Sequence, residues 1–301
     1  MDIVYEMAIR NAAMEWLDAV NPDRLGGVRR QDLATFTFRG DRIPLADLRG
    51  GIRKPARLGA ALSILTTYTP PGHLPPYEDV MGPDGLQRYN YRGTDPRHAH
   101  NRAVRAAMEH TLPLIWLVGS APGSFLPLYP VWVVGEEPAR HRFVLALDGV
   151  QRLVPVGPAP DMDGRRYVER LTRERLHQPV FRARVLEAYD RQCAMCRLRY
   201  PSLLDAAHIL PDSHPHGTAD VTNGLALCKL HHAAFDGNLV GVRPDLVIQV
   251  RPDVRHAVDG PMLTHGLQAL DGVPLVRPRS RAARPDRDHL GERYEEFLRA
   301  Q

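Results

Sequence analysis

The chain has 301 residues, 44% of them hydrophobic and 25% charged, which suits a soluble globular protein with room for two domains. Three cysteines, Cys193, Cys196 and Cys228, exclude a disulfide framework, and no stretch approaches the roughly 20 apolar residues of a membrane span. The net charge of +4 and a pI near 9.1 fit a nucleic-acid partner without requiring one. Lys54 and Lys229 are the lysines, and the rest of the 39 lysine and arginine residues are arginine. GC-rich coding explains that bias as readily as bidentate phosphate contact does. The opening MDIVYEMAIRNAAMEWL lacks the charged start and apolar run of a signal peptide, so a reduced, cytoplasmic compartment is expected.

In chain order, Val4, Met7, Ala8, Met14 and Leu17 predict an amphipathic helix over 3–20, ended by Asn21-Pro22. From Phe36 to Val134 short apolar runs alternate with Gly, Pro and Asp: ALSIL (61–65), LPLIWLV (112–118) and YPVWVV (129–134). These read as strands of a β-rich domain, with a helix near 97–110 and a closing strand at 143–147. Residues 150–163 read as a linker, and Phe181, Val185 and Tyr189 then share one helical face. The segment 274–287 is rich in proline and arginine and predicts irregular chain, either a phosphate-touching arm or a solvated tail. A short helix over 288–298 closes the chain.

The chemistry concentrates between Phe181 and Val242. Cys193-x-x-Cys196 and Cys228-x-x-His231 each have the two-residue gap that aims two donors at one tetrahedral ion, and thiolate with imidazole suits Zn²⁺. Around these pairs stand Ala207-His208, Asn223-Gly224 and His231-His232. The arrangement resembles the HNH endonucleases, with their ββα-metal fold of a β-hairpin and a helix. The resemblance makes His208 the general base, Asn223 the brace of its loop, and His232 a ligand of a catalytic Mg²⁺ or Mn²⁺. Asp236, one turn after His232, would be a second ligand. Many family members bind the metal with the residue before the base histidine. Here that is Ala207, which leaves Asp205, two residues upstream, as a further candidate. His214 and His216 read as loop histidines without a role.

The amino-terminal region contains Tyr77-Glu78-Asp79, Asp84-Gly85, Tyr91-Arg92-Gly93 and Asn101-Arg102 in that order. This resembles the SRA domains that recognise modified cytosine, a PUA-like curved β-barrel. Reading one methyl group is easiest on a base flipped out of the stack and held between aromatic rings. Tyr77 and Tyr91, with Tyr89 as alternate, are the candidate rings, and Asp79 could accept from the cytosine amine. Arg53, Lys54, Arg57, Asn101 and Arg102 are candidates for the DNA backbone. The competing reading of the tyrosines is a β-barrel core.

The expectation is therefore an α+β protein: an SRA-like reader over 1–150, a linker over 151–180 and a zinc-stapled ββα-metal nuclease over 181–301. The whole order looks like the bacterial SRA-HNH enzymes, which implies a modification-dependent endonuclease on double-stranded DNA bearing 5-methylcytosine or 5-hydroxymethylcytosine. A double-strand cut needs two active sites, hence a homodimer. Two alternatives stay open: a nuclease whose reader senses phosphorothioate or plain sequence, and a non-catalytic zinc-stabilised DNA-binding protein.

Overall fold

The computed structural model describes residues 1–22, 24, 26–47, 50–73, 80–157 and 162–300. It divides into two compact units, one of Met1–Thr69 with His73–Val180, the other of Pro70–Gly72 with Phe181–Gln301. Among the described residues no helix is long and apolar enough to cross a membrane.

The first unit opens with α1 (Ile3–Val20), where Asp2 accepts from Tyr5 N–H as the cap. Strand β1 (Val28–Arg29), the short α2 (Arg30–Leu33) and a small hairpin of β2 (Thr37–Phe38) and β3 (Asp41–Arg42) follow. Next come β4 (Ile52–Arg53), β5 (Ser63–Thr66), β6 (Gln87–Asn90), α3 (Ala99–Glu109), β7 (Leu114–Ala121), β8 (Ser124–Glu137) and β9 (Arg142–Ala146). Among the described residues seven strands form one sheet in the order β4-β5-β7-β8-β9-β6, with β1 on β8. The β5–β7 pair is parallel and the others antiparallel.

The sheet curls along the long β8, whose two halves pair with different strands beyond its β1 contact. Its first half, Ser124–Val131, pairs with β7, while Trp132–Glu137 pairs with β9 and carries a register shift near Gly135. The curl brings β6 back toward the opposite edge, where the Tyr89 hydroxyl lies 3.2 Å from Gly51 O and 3.3 Å from Leu65 O. Strand β7 is buried on both faces, which explains its uninterrupted apolar run. Leu114, Trp116 and Val118 enter one core with α3, and Ile115 and Leu117 enter another with α1.

Within 151–180, expected as a linker, the described residues 151–157 and 162–180 belong to the first unit. Gln151 is fully buried, accepts from Leu147 N–H at 2.7 Å and donates to Thr172 Oγ1 at 2.9 Å. Helix α4 (Met162–Thr172) packs Val168 on Leu86 and Val144. A π-helical segment, Arg173–His177, then leads into α5 (Gln178–Ala188), and the division between the units falls within α5.

The second unit pairs β10 (Leu204–His208) with β11 (Gly224–Cys228) as an antiparallel hairpin, His208 opposite Gly224 and Leu204 opposite Cys228. Helix α6 (Lys229–Asp236) follows directly, so hairpin and helix form a ββα unit. A second hairpin, β12 (Val240–Val242) with β13 (Ile248–Val250), precedes α7 (Pro252–His256), α8 (Pro261–Gly266) and α9 (Arg287–Arg299). Gly224 is required by close packing. A Cβ there would stand 2.4 Å from Val185 Cγ2 and 2.9 Å from Phe181 Cζ, so α5 lies directly on the start of β11. Apart from a bridge of Pro274 to Val247 and the first residue of α9, the segment 274–287 has one 3₁₀ turn, yet it is pinned. Leu275 N–H donates to Leu246 O and Val276 N–H to Ala194 O, each at 2.8 Å, and the Leu275 side chain is in the core.

Candidate active site and zinc knuckle

Cys193, Cys196, Cys228 and His231 converge, their donor atoms all within 4.8 Å of one another. His231 Nδ1 lies 3.3 Å from Cys193 Sγ and 3.1 Å from Cys228 Sγ, and Cys196 Sγ is 4.0 Å from Cys228 Sγ. Donors about 2.3 Å (sulfur) and 2.0 Å (nitrogen) from one tetrahedral zinc would be separated by distances of this order. The local fold builds the knuckle: Arg197 N–H donates to Cys193 O, Cys193 N–H donates to Leu198 O, and Arg197 turns the chain with φ of 64°. Ala194 N–H then ties the knuckle to β11 through Ala226 O at 2.6 Å.

His231 is oriented by its other nitrogen, since Nε2–H donates to Gly266 O at 2.7 Å, a carbonyl left over at the end of α8. That contact fixes the tautomer with Nδ1 toward the thiols, the arrangement a metal-binding imidazole needs. The thiols hold Cys193 far below the usual range. Burial lowers the basicity of His231, but hydrogen bonds to Cys193, Cys228 and Gly266 outweigh it and raise the group to about 10. The neighbouring thiols push Cys196 up, so without an ion the cluster holds its protons on Cys196 and His231; the four donors could hold a zinc ion.

Beside the knuckle, His208 ends β10. Its ring lies flat on Phe181, centroids 4.0 Å apart and planes 11° apart. Nε2 is buried and lacks a hydrogen bond, though Asp212 Oδ1 is 3.3 Å away. Burial, the largest influence, pushes the His208 pKa below the usual histidine value; His232 lowers it further, while Asp212 and Asp236 raise it. Asn223 is fully buried. It accepts from Leu210 N–H at 3.0 Å and donates to Leu210 O at 2.8 Å and Thr218 O at 2.9 Å. Both ends of the β10–β11 connection are thus tied beside His208.

His232 stands in α6 with a carboxylate at each nitrogen. Asp205 Oδ2 is 3.5 Å from Nδ1, and Asp236 Oδ2 is 3.3 Å from Nε2. Oxygen and nitrogen ligands each about 2.1 Å from an ion lie roughly 3 Å apart, so His232 Nε2 and Asp236 Oδ2 could hold one divalent cation between them. Asp205 does not share that edge. Its Oδ2 is also 2.7 Å from Lys229 Nζ; burial pushes its carboxyl up, but Lys229 and His232 bring it below the usual range. Ala207, on the same strand, is buried in the core and offers nothing to an ion.

The first unit answers differently. Tyr91 is 2% exposed, packs at a tilt against Phe143 with 4.7 Å between centroids, and hydrogen-bonds Glu136. Its hydroxyl is pushed up to about 12, by burial and then by Glu136. Tyr89 meets Trp116 edge-on in the same core. Neither ring is open to a flipped base, because each fills the curled sheet. Asn101 is likewise buried rather than on the surface, spent on Arg92 N–H, Arg92 O and Asp95 O. Arg57 is exposed and paired with Asp41, Arg53 donates to Pro44 O at 3.0 Å, Lys54 is half-buried and Arg102 is exposed. Tyr77 and Asp79 lie outside the described residues.

Several participants were invisible in sequence: Phe181 under the base candidate, Asp212 beside it, and Gly266 O behind His231. His214 and His216 also acquire a partner, Glu292 of α9, at 3.6 Å from His214 Nε2 and 2.9 Å from His216 Nδ1. His214 Nδ1 accepts from His216 N–H, so a neutral His214 presents a proton, not a lone pair, to that carboxylate.

A Cys₃His knuckle braces a ββα unit that carries histidines at the strand end and on the helix. Residues 193–243 match the family described as HNH endonuclease, and the chain is a DNA endonuclease. A solved structure titled "Modification dependent TagI restriction endonuclease" is similar at 17% identity, covering 90% of this chain and 92% of that one, with a TM-score of 0.31. No curated protein matches.

Proposed function

We propose that this chain is a modification-dependent restriction endonuclease, which cuts double-stranded DNA with its carboxy-terminal unit when its amino-terminal unit has bound a modified cytosine. The observation that supports the nuclease chemistry best is His208: a half-buried imidazole of depressed pKa at the strand end, with Asn223 holding the loop that follows it. A neutral imidazole takes a proton from water in general-base catalysis. Nε2 is buried, which leaves Nδ1 as the nitrogen that meets the attacking water. Asn223 acts on the backbone that carries His208. His232 and Asp236 would hold Mg²⁺ or Mn²⁺, which neutralises charge on a phosphodiester transition state. Zn²⁺ in the cysteine knuckle is structural, holding β11 and α6 in place.

In the reader, Tyr77 and Asp79 are the pocket candidates, with Arg53, Lys54, Arg57 and Arg102 for the backbone. A double-strand cut by one active site per chain calls for a homodimer. The burial of Tyr89, Tyr91 and Asn101 removes part of the expected pocket and so favours a second reading, in which the same nuclease answers to phosphorothioate or plain sequence.

The test is cleavage of one plasmid, unmethylated, CpG-methylated or hydroxymethylated, with Mg²⁺ or Mn²⁺ and with EDTA. Metal-dependent cutting confined to the modified forms supports the proposal. Equal cutting of all forms sinks the modified-cytosine reader and leaves the nuclease. His208→Ala should lower cleavage by about 10²–10⁴-fold while DNA binding persists; unchanged cleavage would remove His208 from the chemistry.

A further inference from the structure

Between the zinc knuckle and the pinned carboxy-terminal segment lies a groove of about 570 Å³ lined by five arginines. Gln192, Arg197 and Arg199 form the knuckle wall; Arg277, Arg279 and Arg284 belong to the other. No carboxylate lines it. Asp190, outside the lining, pairs with Arg279 at 3.2 Å, while Arg199 touches the Gln192 amide and Arg284 the Pro278 carbonyl. Arg197 and Arg277, both exposed, have no ion pair among the described residues.

The two walls are fixed to each other, because Val276 N–H donates to Ala194 O, inside the Cys193–Cys196 knuckle, and Leu275 is anchored in the core. The guanidinium groups are therefore mounted on rigid backbone and not on a waving tail. Five like charges around one concave surface, with one carboxylate nearby, repel each other and create a field that an anion relieves. Guanidinium groups bind phosphate oxygens bidentately, and backbone phosphates set position without reading sequence.

We propose that this groove clamps the phosphodiester backbone of duplex DNA outside the active site, the zinc knuckle and the arginine arm serving as its two jaws. The groove lies in the endonuclease unit itself, and its role is independent of which mark the amino-terminal unit reads. It is also independent of sequence.

The experiment measures binding of a short unmodified duplex to the full-length chain across a salt series, in a His208→Ala background so that the DNA stays intact. Each phosphate contact contributes about 0.9 to the slope of log affinity against log salt. Arg277→Gln with Arg279→Gln should reduce that slope by about 1.8 and weaken binding by about tenfold or more at moderate salt. Arg199→Gln, on the opposite wall, should reduce it by about 0.9. A charge-matched control, Arg255→Gln with Arg299→Gln, lies outside the groove and should move the slope much less. Zinc content and melting temperature identify any variant that fails to fold, in which case the variant on the other wall decides. Slopes indistinguishable from the charge-matched control would overturn the clamp, as would a drop from one wall without the other.

Discussion

The imidazole of His208 lies parallel to the ring of Phe181, 4.0 Å away. Phe181 comes from α5, outside the hairpin and helix that define the nuclease motif, and it covers one face of the proposed base. Burial is the main reason that the His208 pKa sits below the ordinary value. A general base must be neutral, so cleavage should fall as pH drops through that depressed pKa, with an acid limb below about pH 6.5. Phe181→Leu keeps an apolar filling, at a cost of about 1 kcal/mol, but opens the ring face to water. Protonation then becomes easier, the pKa rises toward normal, and the acid limb of the pH–rate profile should move to higher pH. A profile that only drops in height, with its inflection unmoved, would show that Phe181 does not set the basicity of His208.

Gly224 controls the same contact from the other side. Gly224→Ala places a Cβ against Phe181 and Val185, and overpacking of this kind costs about 1–3 kcal/mol. The melting temperature should fall and cleavage should fall with it, since Phe181 has to move off β11. Full activity at an unchanged melting temperature would mean that α5 yields without disturbing the site.

Asn223→Ala would leave Leu210 N–H, Leu210 O and Thr218 O without their partner. Buried groups left unsatisfied cost about 1–3 kcal/mol each, so a loss of about 3 kcal/mol or more is expected in denaturant unfolding. Because these contacts tie the connection after His208, single-turnover cleavage should fall even at temperatures where the variant remains folded. A stability loss with no kinetic effect would reduce Asn223 to a purely structural loop brace.

The nuclease unit was legible because its chemistry is local. Cys193 and Cys196 share one knuckle, Cys228 and His231 share the first turn of a helix, and His208 faces Gly224 across one hairpin. Contacts from distant segments were not legible: no spacing rule brings Phe181 under His208, Gly266 O behind His231, or Val276 onto Ala194. In the first unit the strands were readable from their apolar runs, but their faces were not. Alternation identifies two faces of a strand, and a curled sheet covered on both sides buries both, so Tyr89 and Tyr91 went to the core although their sequence context suited a pocket. Asn101 near a helix start read as a surface group, yet it closes the Arg92–Asp95 turn. The proline and aspartate content of 150–163 says nothing of Gln151, whose amide bridges Leu147 and Thr172.

Zinc removal should act on the whole second unit. Structural zinc in small knuckles contributes about 10–16 kcal/mol of apparent binding free energy, and here the ligands join the chain before β10 to the start of α6. A strong chelator should release about one zinc per chain and abolish the cooperative unfolding of this unit, with cleavage lost in parallel. Cys228→Ser should reproduce the effect more fully than Cys196→Ser, because Cys228 is buried at the junction of β11 and α6 while Cys196 is exposed. Retention of the unfolding transition after complete zinc loss would show that the hydrophobic core alone holds the ββα unit.

The two carboxylates beside His232 should separate by their dependence on the catalytic metal. Asp236 lies on the Nε2 edge proposed for the ion, whereas Asp205 faces Nδ1 and is engaged by Lys229. Asp236→Asn removes a ligand, so cleavage should stay depressed even at saturating Mg²⁺ or Mn²⁺. Asp205→Asn loosens the orientation of the imidazole, which for such outer groups weakens metal binding by about 10–100-fold. Its maximal rate should therefore return to near wild type once the metal concentration is raised. If Asp205→Asn instead lowers the plateau as much as Asp236→Asn does, then Asp205 swings onto the ion when DNA binds, and the Nδ1 contact belongs to the DNA-free chain alone.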